Sequence, residues 1–207
     1  LEAKVFMSQD SADILAPTIH LPADSAFRPL NVVLLILESF SKEYIGYYNN
    51  GKGYTPFLDS LISVSYDCSQ TYANGKRSIE GIPAIIAGIP PLLSEPVITS
   101  AYSGNSMTTI ASLLKKKNYE TIFFHGGTNG TMSFDNFARA CGYNTYFGRT
   151  EYNNDIDFDK TWGIFDEPFL HRSATELTKI SKPFFATIFT LSSHHPYSIP
   201  EKYKGVF

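Results

Sequence analysis

The feature that most constrains the fold is an apolar run at residues 31–37, with the sequence NVVLLIL. β-Branched and leucine residues without polar alternation are typical of a strand buried on both faces of a parallel sheet. Glu38 follows this run directly. Open α/β sheets bind their ligands just beyond the carboxyl ends of their strands. The sequence therefore predicts a central parallel strand with Glu38 at its functional end.

Later segments repeat the same arrangement. Residues 120–124 predict a second strand that ends at His125, and residues 182–191 predict a further strand that is followed by His194. Shorter strands are predicted at residues 66–72 and 145–147. Because apolar helical patterns separate these strands, we expect a three-layer α/β/α fold with a mostly parallel central sheet.

Helix boundaries are indicated by capping residues and apolar stripes. Thr55 and Pro56 resemble an N-cap followed by proline at the first helical position, and Ser106 is a candidate cap for the next helix but one. We expect further helices at residues 133–141 and 166–180.

The segment at residues 74–84, NGKRSIEGIPA, predicts a loop that leads into a helix. An apolar pattern begins directly after Ser78, so we expect Ser78 at an N-cap-like position, where unpaired backbone N–H groups favour an anion. Gly75 allows a tight turn or a close approach of the backbone to a ligand, and Lys76 and Arg77 add positive charge beside the hydroxyl. This pattern is typical of a cradle for a tetrahedral anion, although an ordinary capped helix after a basic turn would look the same.

Composition limits the class of protein. The 207 residues carry 17 basic and 20 acidic side chains, a net charge of −3, so there is no basic footprint for nucleic acid. The 43% hydrophobic content suffices for one domain. We expect residues 1–30 to be an extended lead-in and residues 31–207 to form the domain. Cys68 and Cys141 match no metal-ligand spacing, and free thiols and a disulfide both remain open.

Five segments in this order resemble the alkaline phosphatase/sulfatase superfamily, in particular its lipoteichoic acid synthase-type branch of phosphoglycerol and phosphoethanolamine transferases. The segments are residues 31–40 (NVVLLILESF), 55–58 (TPFL), 74–84 (NGKRSIEGIPA), 124–127 (FHGG) and 191–197 (LSSHHPY). The resemblance spans about residues 31–207. It implies a metal-dependent phosphoester transferase or hydrolase.

The resemblance also implies roles for individual residues. Glu38 would be a metal ligand, and Ser78 would be both nucleophile and metal ligand. His125 and His194 would contact the anionic group of the substrate, and Lys76 and Arg77 are further candidates for that contact. The expected metal is a divalent ion, Mn²⁺ or Zn²⁺ in the first place, with Mg²⁺ or Ca²⁺ as alternatives.

Each of these residues also has a structural interpretation. Glu38 could cap the helix that follows, and His125 could be a hydrogen-bonded turn residue beside Gly126. Lys76 and Arg77 bind substrate or brace the loop. His195 is interpreted as a neighbour of His194 without a role of its own.

Two departures from the resemblance shape the expectations. The family's remaining metal ligands, an Asp-His pair and a further His, belong to a C-terminal half that does not occur before Phe207. We therefore expect a fold truncated at its C-terminus, and a 207-residue chain that is inactive alone. The Cys/Ser-x-Pro-x-Arg pattern of formylglycine-dependent sulfatases is also absent, because residues 78–82 read SIEGI.

The resemblance further implies a parent protein anchored in the cell membrane with its catalytic domain extracytoplasmic, either periplasmic or on the cell surface. Its substrate would be a phospholipid headgroup or an anionic glycan ester. Two alternatives are a sulfuric ester hydrolase and a non-catalytic module that binds anionic headgroups or glycans.

Overall fold

A computed structural model of the chain describes residues 8, 10, 11, 14 and 26–205. The expectation of an extended lead-in over residues 1–30 lies largely outside these residues. The part of the chain that is described contains four strands: β1 (Val32–Ile36), β2 (Glu120–His125), β3 (Thr145–Phe147) and β4 (Phe184–Phe189).

The strands form one sheet in the order β1-β4-β2-β3, and every neighbouring pair is parallel. Val33 pairs with Ala186 and Ile122 pairs with the same residue from the other side, so β4 occupies the centre. Parallel pairing requires crossovers, and the helices between the strands supply them. The predicted parallel α/β sheet is confirmed.

The helices lie between the strands in sequence: α1 (Pro56–Ser63), α2 (Ser78–Ala87), α3 (Ile110–Lys115), α4 (Phe134–Ala140), α5 (Arg149–Tyr152) and α6 (Asp166–Thr178). Thr55 is the N-cap of α1 with Pro56 in its first turn, as predicted. The cap of α3 is Thr109 and not Ser106, because the Thr109 side chain accepts a hydrogen bond from the Ser112 N–H.

Two apolar clusters cover the two faces of the sheet. One contains Phe123, Phe185 and Phe189 together with residues of α2, α3 and α4. The other contains Phe124 and Ile188 together with α6 residues. Since adjacent residues of a strand point to opposite faces, this division is the three-layer arrangement that the sequence predicted.

The prediction that β1 is buried on both faces is wrong. Strand order places β1 at an edge, where Val33 is 51% and Leu35 45% exposed, whereas Leu34 and Ile36 pack against the first cluster. The apolar run therefore has one face that packs on the core and one face that is about half exposed among the described residues.

One smaller expectation also changes, and one open alternative is decided. Residues 66–72 form no strand, since they are exposed and pair with none of the described strands. Cys68 and Cys141 are free thiols, one exposed and one buried, so they do not form a disulfide. Among the described helices, none has the length and apolar character needed to cross a bilayer.

Candidate active site

Glu38 and Ser78 meet at the carboxyl edge of the sheet. Glu38 lies two residues beyond the end of β1, and Ser78 is the first residue of α2. The Ser78 hydroxyl donates a hydrogen bond to Glu38 Oε2 over 2.7 Å. The sequence predicted both residues as site members at strand and helix ends, and the fold brings them into direct contact across 40 positions of chain.

Neighbouring residues hold Glu38 in place, and the residue is only 9% exposed. The Ser39 hydroxyl donates to Glu38 Oε1 over 2.8 Å, and the Glu38 N–H donates to Thr190 Oγ1 over 2.9 Å. Glu38 therefore does not cap a helix, because its two carboxylate oxygens accept hydrogen bonds from the hydroxyl groups of Ser39 and Ser78. Ser39 has a φ of 52°, a left-handed conformation that is uncommon for a serine and is typical of constrained sites.

The sequence predicts Ser78 at an N-cap-like position, but in the structure Ser78 is the first residue of α2 and not its N-cap. The N-cap is Arg77, and the Glu80 carboxylate accepts a hydrogen bond from the Arg77 N–H over 3.3 Å. The shift by one residue keeps Ser78 within the first turn, whose N–H groups have no carbonyl partner inside the helix and favour negative charge. An anion bound to the Ser78 oxygen would thus still face the positive end of α2.

Gly75 lets the loop close on the start of α2. A Cβ atom at this position would lie 2.6 Å from Glu80 Cβ and 2.8 Å from the Gly81 nitrogen. No side chain fits such a gap without displacing the loop or the helix. The predicted close approach of the backbone at Gly75 is thus used for packing against α2.

The two basic residues before Ser78 differ in their partners. Arg77 forms an ion pair with Glu80, with 2.6 Å between Arg77 Nη2 and Glu80 Oε1. This pair raises the pKa of the Arg77 guanidinium and lowers the pKa of Glu80. Within the described residues, Lys76 has no ion-pair partner. The charge of Lys76 is therefore fully available to an anion, whereas that of Arg77 is partly neutralised.

A cleft beside Ser78, of about 520 Å³, brings most of the predicted site residues together. We call it the Ser78 cleft; its polar and charged members are Glu38, Ser39, Lys76, Arg77, Ser78, Thr99, His194, His195 and Tyr197. The volume lies within the usual range for ligand sites. His194 follows β4 and reaches the cleft because β4 and β1 are neighbours in the sheet.

His125 does not reach the Ser78 cleft. It is the last residue of β2, 1% exposed, and its ring stacks on Phe189 with 5.1 Å between the ring centroids. Its Nδ1 lies 2.7 Å from the Tyr146 hydroxyl. Burial lowers the pKa of His125 to about 3, so the ring is neutral near pH 7. This geometry favours the structural interpretation, and substrate contact by His125 stays a prediction.

The position of Gly127, two residues after His125, requires a glycine. A Cβ atom on Gly127 would lie 2.8 Å from His125 Cε1. The glycine therefore lets the backbone pass directly over the imidazole. In the structure the motif at residues 124–127 packs the end of β2. The same sequence is also compatible with ligand contact.

Three residues that position the site were not identified from sequence. Thr190 holds the Glu38 backbone. Asp166 accepts hydrogen bonds from the N–H groups of Leu191 and Ser192, over 2.7 and 3.1 Å, and so fixes the start of the segment that carries His194. Trp162 contacts His194 itself. The only signal for Trp162 was that it is the single tryptophan of the chain.

The fold and site define an α/β domain with a parallel sheet, in which a serine at a helix start is hydrogen-bonded to a carboxylate at a strand end. The family model described as Sulfatase matches residues 30–207, and the chain belongs to that family.

Individual relatives agree with this assignment. The lipoteichoic acid synthase-like YvgJ of Bacillus subtilis (strain 168) is 26% identical over 211 residues, covering 98% of this chain and 34% of that protein. The crystal structure of an alkaline phosphatase superfamily protein from Vibrio parahaemolyticus superposes with a TM-score of 0.78 at 34% identity, covering 87% of this chain and 44% of that one.

Two solved structures of lower identity share the fold. The lipoteichoic acid synthase LtaP of Listeria monocytogenes has a TM-score of 0.74 at 23% identity, covering 84% of this chain and 43% of that one. The C-terminal periplasmic domain of EcEptC from Escherichia coli, in complex with Zn, has a TM-score of 0.54 at 17% identity, covering 89% and 51%. The chain thus spans about a third of the curated relative and about half or less of these structures.

Proposed function

We propose that the protein transfers or hydrolyses phosphoesters through a covalent intermediate on Ser78, assisted by a divalent metal ion. The observation that carries this proposal is the 2.7 Å hydrogen bond from the Ser78 hydroxyl to Glu38 Oε2 at the start of α2. This hydrogen bond orients the candidate nucleophile, the Ser78 hydroxyl, toward the Glu38 carboxylate at the positive end of α2.

The residues that are present fit part of a metal site. Glu38 Oε2 and Ser78 Oγ are two candidate ligand atoms that lie 2.7 Å from each other. Oxygen ligands suit Mn²⁺, Mg²⁺ and Ca²⁺, and Zn²⁺ also binds them. No group of three or more His, Cys, Asp or Glu suited to a metal occurs among the described residues. Catalytic zinc sites usually have at least three protein ligands. We propose that further ligands come from outside the described part of the chain.

In the proposed reaction, Ser78 Oγ gives up its proton and forms a bond to phosphorus while the bond from phosphorus to the leaving oxygen breaks. The leaving oxygen takes up one proton and departs as an alcohol, so the step balances. Water or an acceptor alcohol then displaces Ser78 and restores the free hydroxyl. When bound, a divalent ion supplies positive charge that lowers the pKa of the attacking hydroxyl. Glu38 Oε2 keeps the hydroxyl proton on its own side, which leaves the lone pairs of Ser78 Oγ directed away from the carboxylate.

The surroundings of Ser78 suit a tetrahedral anion. Lys76, His194 and the first two residues of α2, Ser78 and Ile79, line one cleft. The backbone N–H groups of Ser78 and Ile79 have no carbonyl partner inside the helix. These donors stabilise charge on the non-bridging oxygens as it builds up. Lys76 contributes a full charge, because no described carboxylate pairs with it.

The substrate and location of the whole protein extend this proposal. YvgJ and LtaP are named for lipoteichoic acid synthesis, and the EcEptC neighbour is described as a periplasmic domain. We propose a phospholipid headgroup or an anionic glycan ester as substrate, and an extracytoplasmic catalytic domain on a membrane-anchored parent protein.

The test is hydrolysis of p-nitrophenyl phosphate by the full-length protein with Mn²⁺ or Zn²⁺, with p-nitrophenyl sulfate assayed in parallel. We expect turnover of the phosphate ester and a phosphorylated Ser78 peptide in acid-quenched samples analysed by mass spectrometry. A much faster rate on the sulfate ester would assign the sulfatase alternative. Binding of phosphate without turnover of either ester would assign the non-catalytic binding module.

A further inference from the structure

Trp162 packs directly on His194, the histidine of the Ser78 cleft. The two ring centroids are 4.3 Å apart with an angle of 53° between the planes. Such a contact restricts rotation of the imidazole, because the indole covers part of one of its faces. His194 lies on a loop beyond the end of β4, where backbone pairing no longer fixes a side chain.

The His195 carbonyl oxygen is a second link between the two residues. It accepts a hydrogen bond from Trp162 Nε1 over 2.7 Å and lies 2.8 Å from His194 Nδ1. A carbonyl oxygen can only accept, so Nδ1 carries the proton in this contact. A carbonyl has two lone pairs and can serve both donors. The indole therefore fixes the oxygen that sets the His194 tautomer.

This tautomer decides which nitrogen of His194 can serve a ligand. With Nδ1 held by the His195 carbonyl, Nε2 is the nitrogen that remains for the cleft. The neutral ring in this tautomer offers only a lone pair at Nε2, so the N–H that an oxyanion needs at this position is offered by the imidazolium. Free rotation of the ring would exchange the two nitrogens and lose this assignment.

Trp162 is itself held by its loop. The Asp159 carboxylate accepts hydrogen bonds from the N–H groups of Thr161, Trp162 and Gly163 through one oxygen, over 2.8, 2.8 and 3.0 Å. Gly163 packs against Leu191, which lies two residues beyond the end of β4 on the segment that leads to His194; a Cβ on Gly163 would lie 2.5 Å from Leu191 Cδ1. The indole is thus presented from a backbone that is fixed to the same strand end as His194.

We propose that Trp162 is a positioning residue for substrate binding, which sets the tautomer and orientation of His194 through ring contact and the shared His195 carbonyl. This inference rests on the proposed function, in which His194 contacts the anionic group. It adds that the segment at residues 159–163 belongs to the functional unit, although it supplies no group to the substrate.

The test is a double-mutant cycle with the full-length protein and p-nitrophenyl phosphate. It compares wild type, Trp162→Ala, His194→Ala and the double variant, with Trp162→Phe to keep a ring but remove the N–H donor. We expect Trp162→Ala to lower kcat/KM by about tenfold to a hundredfold, the range for a misplaced catalytic contact. In the His194→Ala background the same change should cost less than about twofold. Trp162→Phe should give an intermediate loss.

An equal loss in both backgrounds would overturn the inference, since Trp162 would then act on the fold and not through His194. A normal kcat/KM for Trp162→Phe and Trp162→Ala would also overturn it. Thermal unfolding of each variant identifies losses that come from instability, and Trp162→Phe keeps the test valid if Trp162→Ala does not fold.

A measurement without turnover separates this inference from the proposed function. We expect His194→Ala to alter the fluorescence of Trp162, taken as the difference between wild type and Trp162→Phe, and both variants to weaken binding of inorganic phosphate. If Ser78→Ala kept the wild-type rate, the covalent mechanism would fail while this coupling could still be measured. An unchanged difference spectrum and unchanged phosphate affinity would overturn the positioning role whatever the reaction.

Discussion

Ser78 donates its hydroxyl proton to Glu38 Oε2 over 2.7 Å, although 40 positions of sequence separate the two residues. The contact joins the end of β1 to the start of α2. Each residue lies where its own local sequence places it. Their meeting depends on the sheet edge that both elements share, and four predictions follow from this site and its surroundings.

Removing the Ser78 hydroxyl should abolish most of the proposed activity. We expect Ser78→Ala to lower kcat on p-nitrophenyl phosphate by at least about 10³-fold, because a covalent mechanism has no substitute for its nucleophile. Ser78→Thr, which keeps a hydroxyl, should retain measurable turnover. Ser63→Ala, at the exposed end of α1, is the matched control and should behave as wild type. Substantial turnover by Ser78→Ala would exclude Ser78 from the reaction.

The 207-residue chain by itself should bind metal weakly. Glu38 and Ser78 are two contacts, and a neutral serine is a poor ligand. Calorimetric titration with Mn²⁺ and with Zn²⁺ should show no site tighter than about micromolar, roughly −8 kcal/mol. Glu38→Gln should remove whatever binding is present. A 1:1 nanomolar site that depends on Glu38 would contradict the proposal that further ligands come from elsewhere.

Releasing Arg77 from its ion pair should improve binding of an anionic substrate. Glu80→Gln keeps an oxygen for the Arg77 N–H but removes the carboxylate charge that neutralises the guanidinium. We expect KM for p-nitrophenyl phosphate to fall by about two- to fivefold, an effect typical of exposed charges. At high salt this decrease in KM should disappear, because salt screens exposed charges.

The control for this experiment is Glu176→Gln on α6. It removes an acidic partner of Arg172 in a similar helix ion pair and lies outside the Ser78 cleft. Its KM should equal that of wild type. A KM that rises in Glu80→Gln would show that Glu80 serves mainly to brace the loop.

His125 should make the protein less stable at acidic pH. Burial lowers its pKa to about 3 in the folded state, whereas the unfolded chain has the ordinary value near 6.5. Between these values the unfolded state binds more protons, so the free energy of unfolding falls as the pH drops below 6.5. The slope from this one group is at most about 1.4 kcal/mol per pH unit.

Denaturant unfolding between pH 4 and pH 8 measures this effect. His125→Asn keeps a polar group near the Tyr146 hydroxyl and cannot titrate, so it should be less stable at pH 8 but show a smaller loss on acidification. An identical pH dependence in the two proteins would assign the acid sensitivity to other groups. Loss of phosphate binding in His125→Asn at unchanged stability would instead support substrate contact by His125.

The sequence alone determined the parallel α/β class and the order of its main elements. The bounds of β3 agree with the predicted strand at residues 145–147, because a short aromatic segment between a glycine-terminated helix and a new loop has few alternatives. Local composition also placed Glu38 and Ser78 correctly at element ends, since strand termination and helix initiation depend on residues a few positions apart.

Tertiary structure decided what each of these residues faces. The apolar run at residues 31–37 looks the same in a central and an edge strand, and only the strand order shows that Val33 and Leu35 are exposed. His125 and His194 both follow or end apolar strands, yet one ring is enclosed by Phe189 and Tyr146 while the other borders the Ser78 cleft. Sequence periodicity specifies the face of a strand but not the elements that cover it.

Trp162 shows the same limit most clearly. Nothing in residues 159–163 identifies a partner for the indole, because the contact with His194 joins a loop before α6 to a loop after β4. Local sequence sets the conformation of a few residues, since backbone preferences and capping contacts depend on residues a few positions apart. Contacts between distant segments depend on how the helices and strands pack, and in this protein that packing assembles the Ser78 cleft.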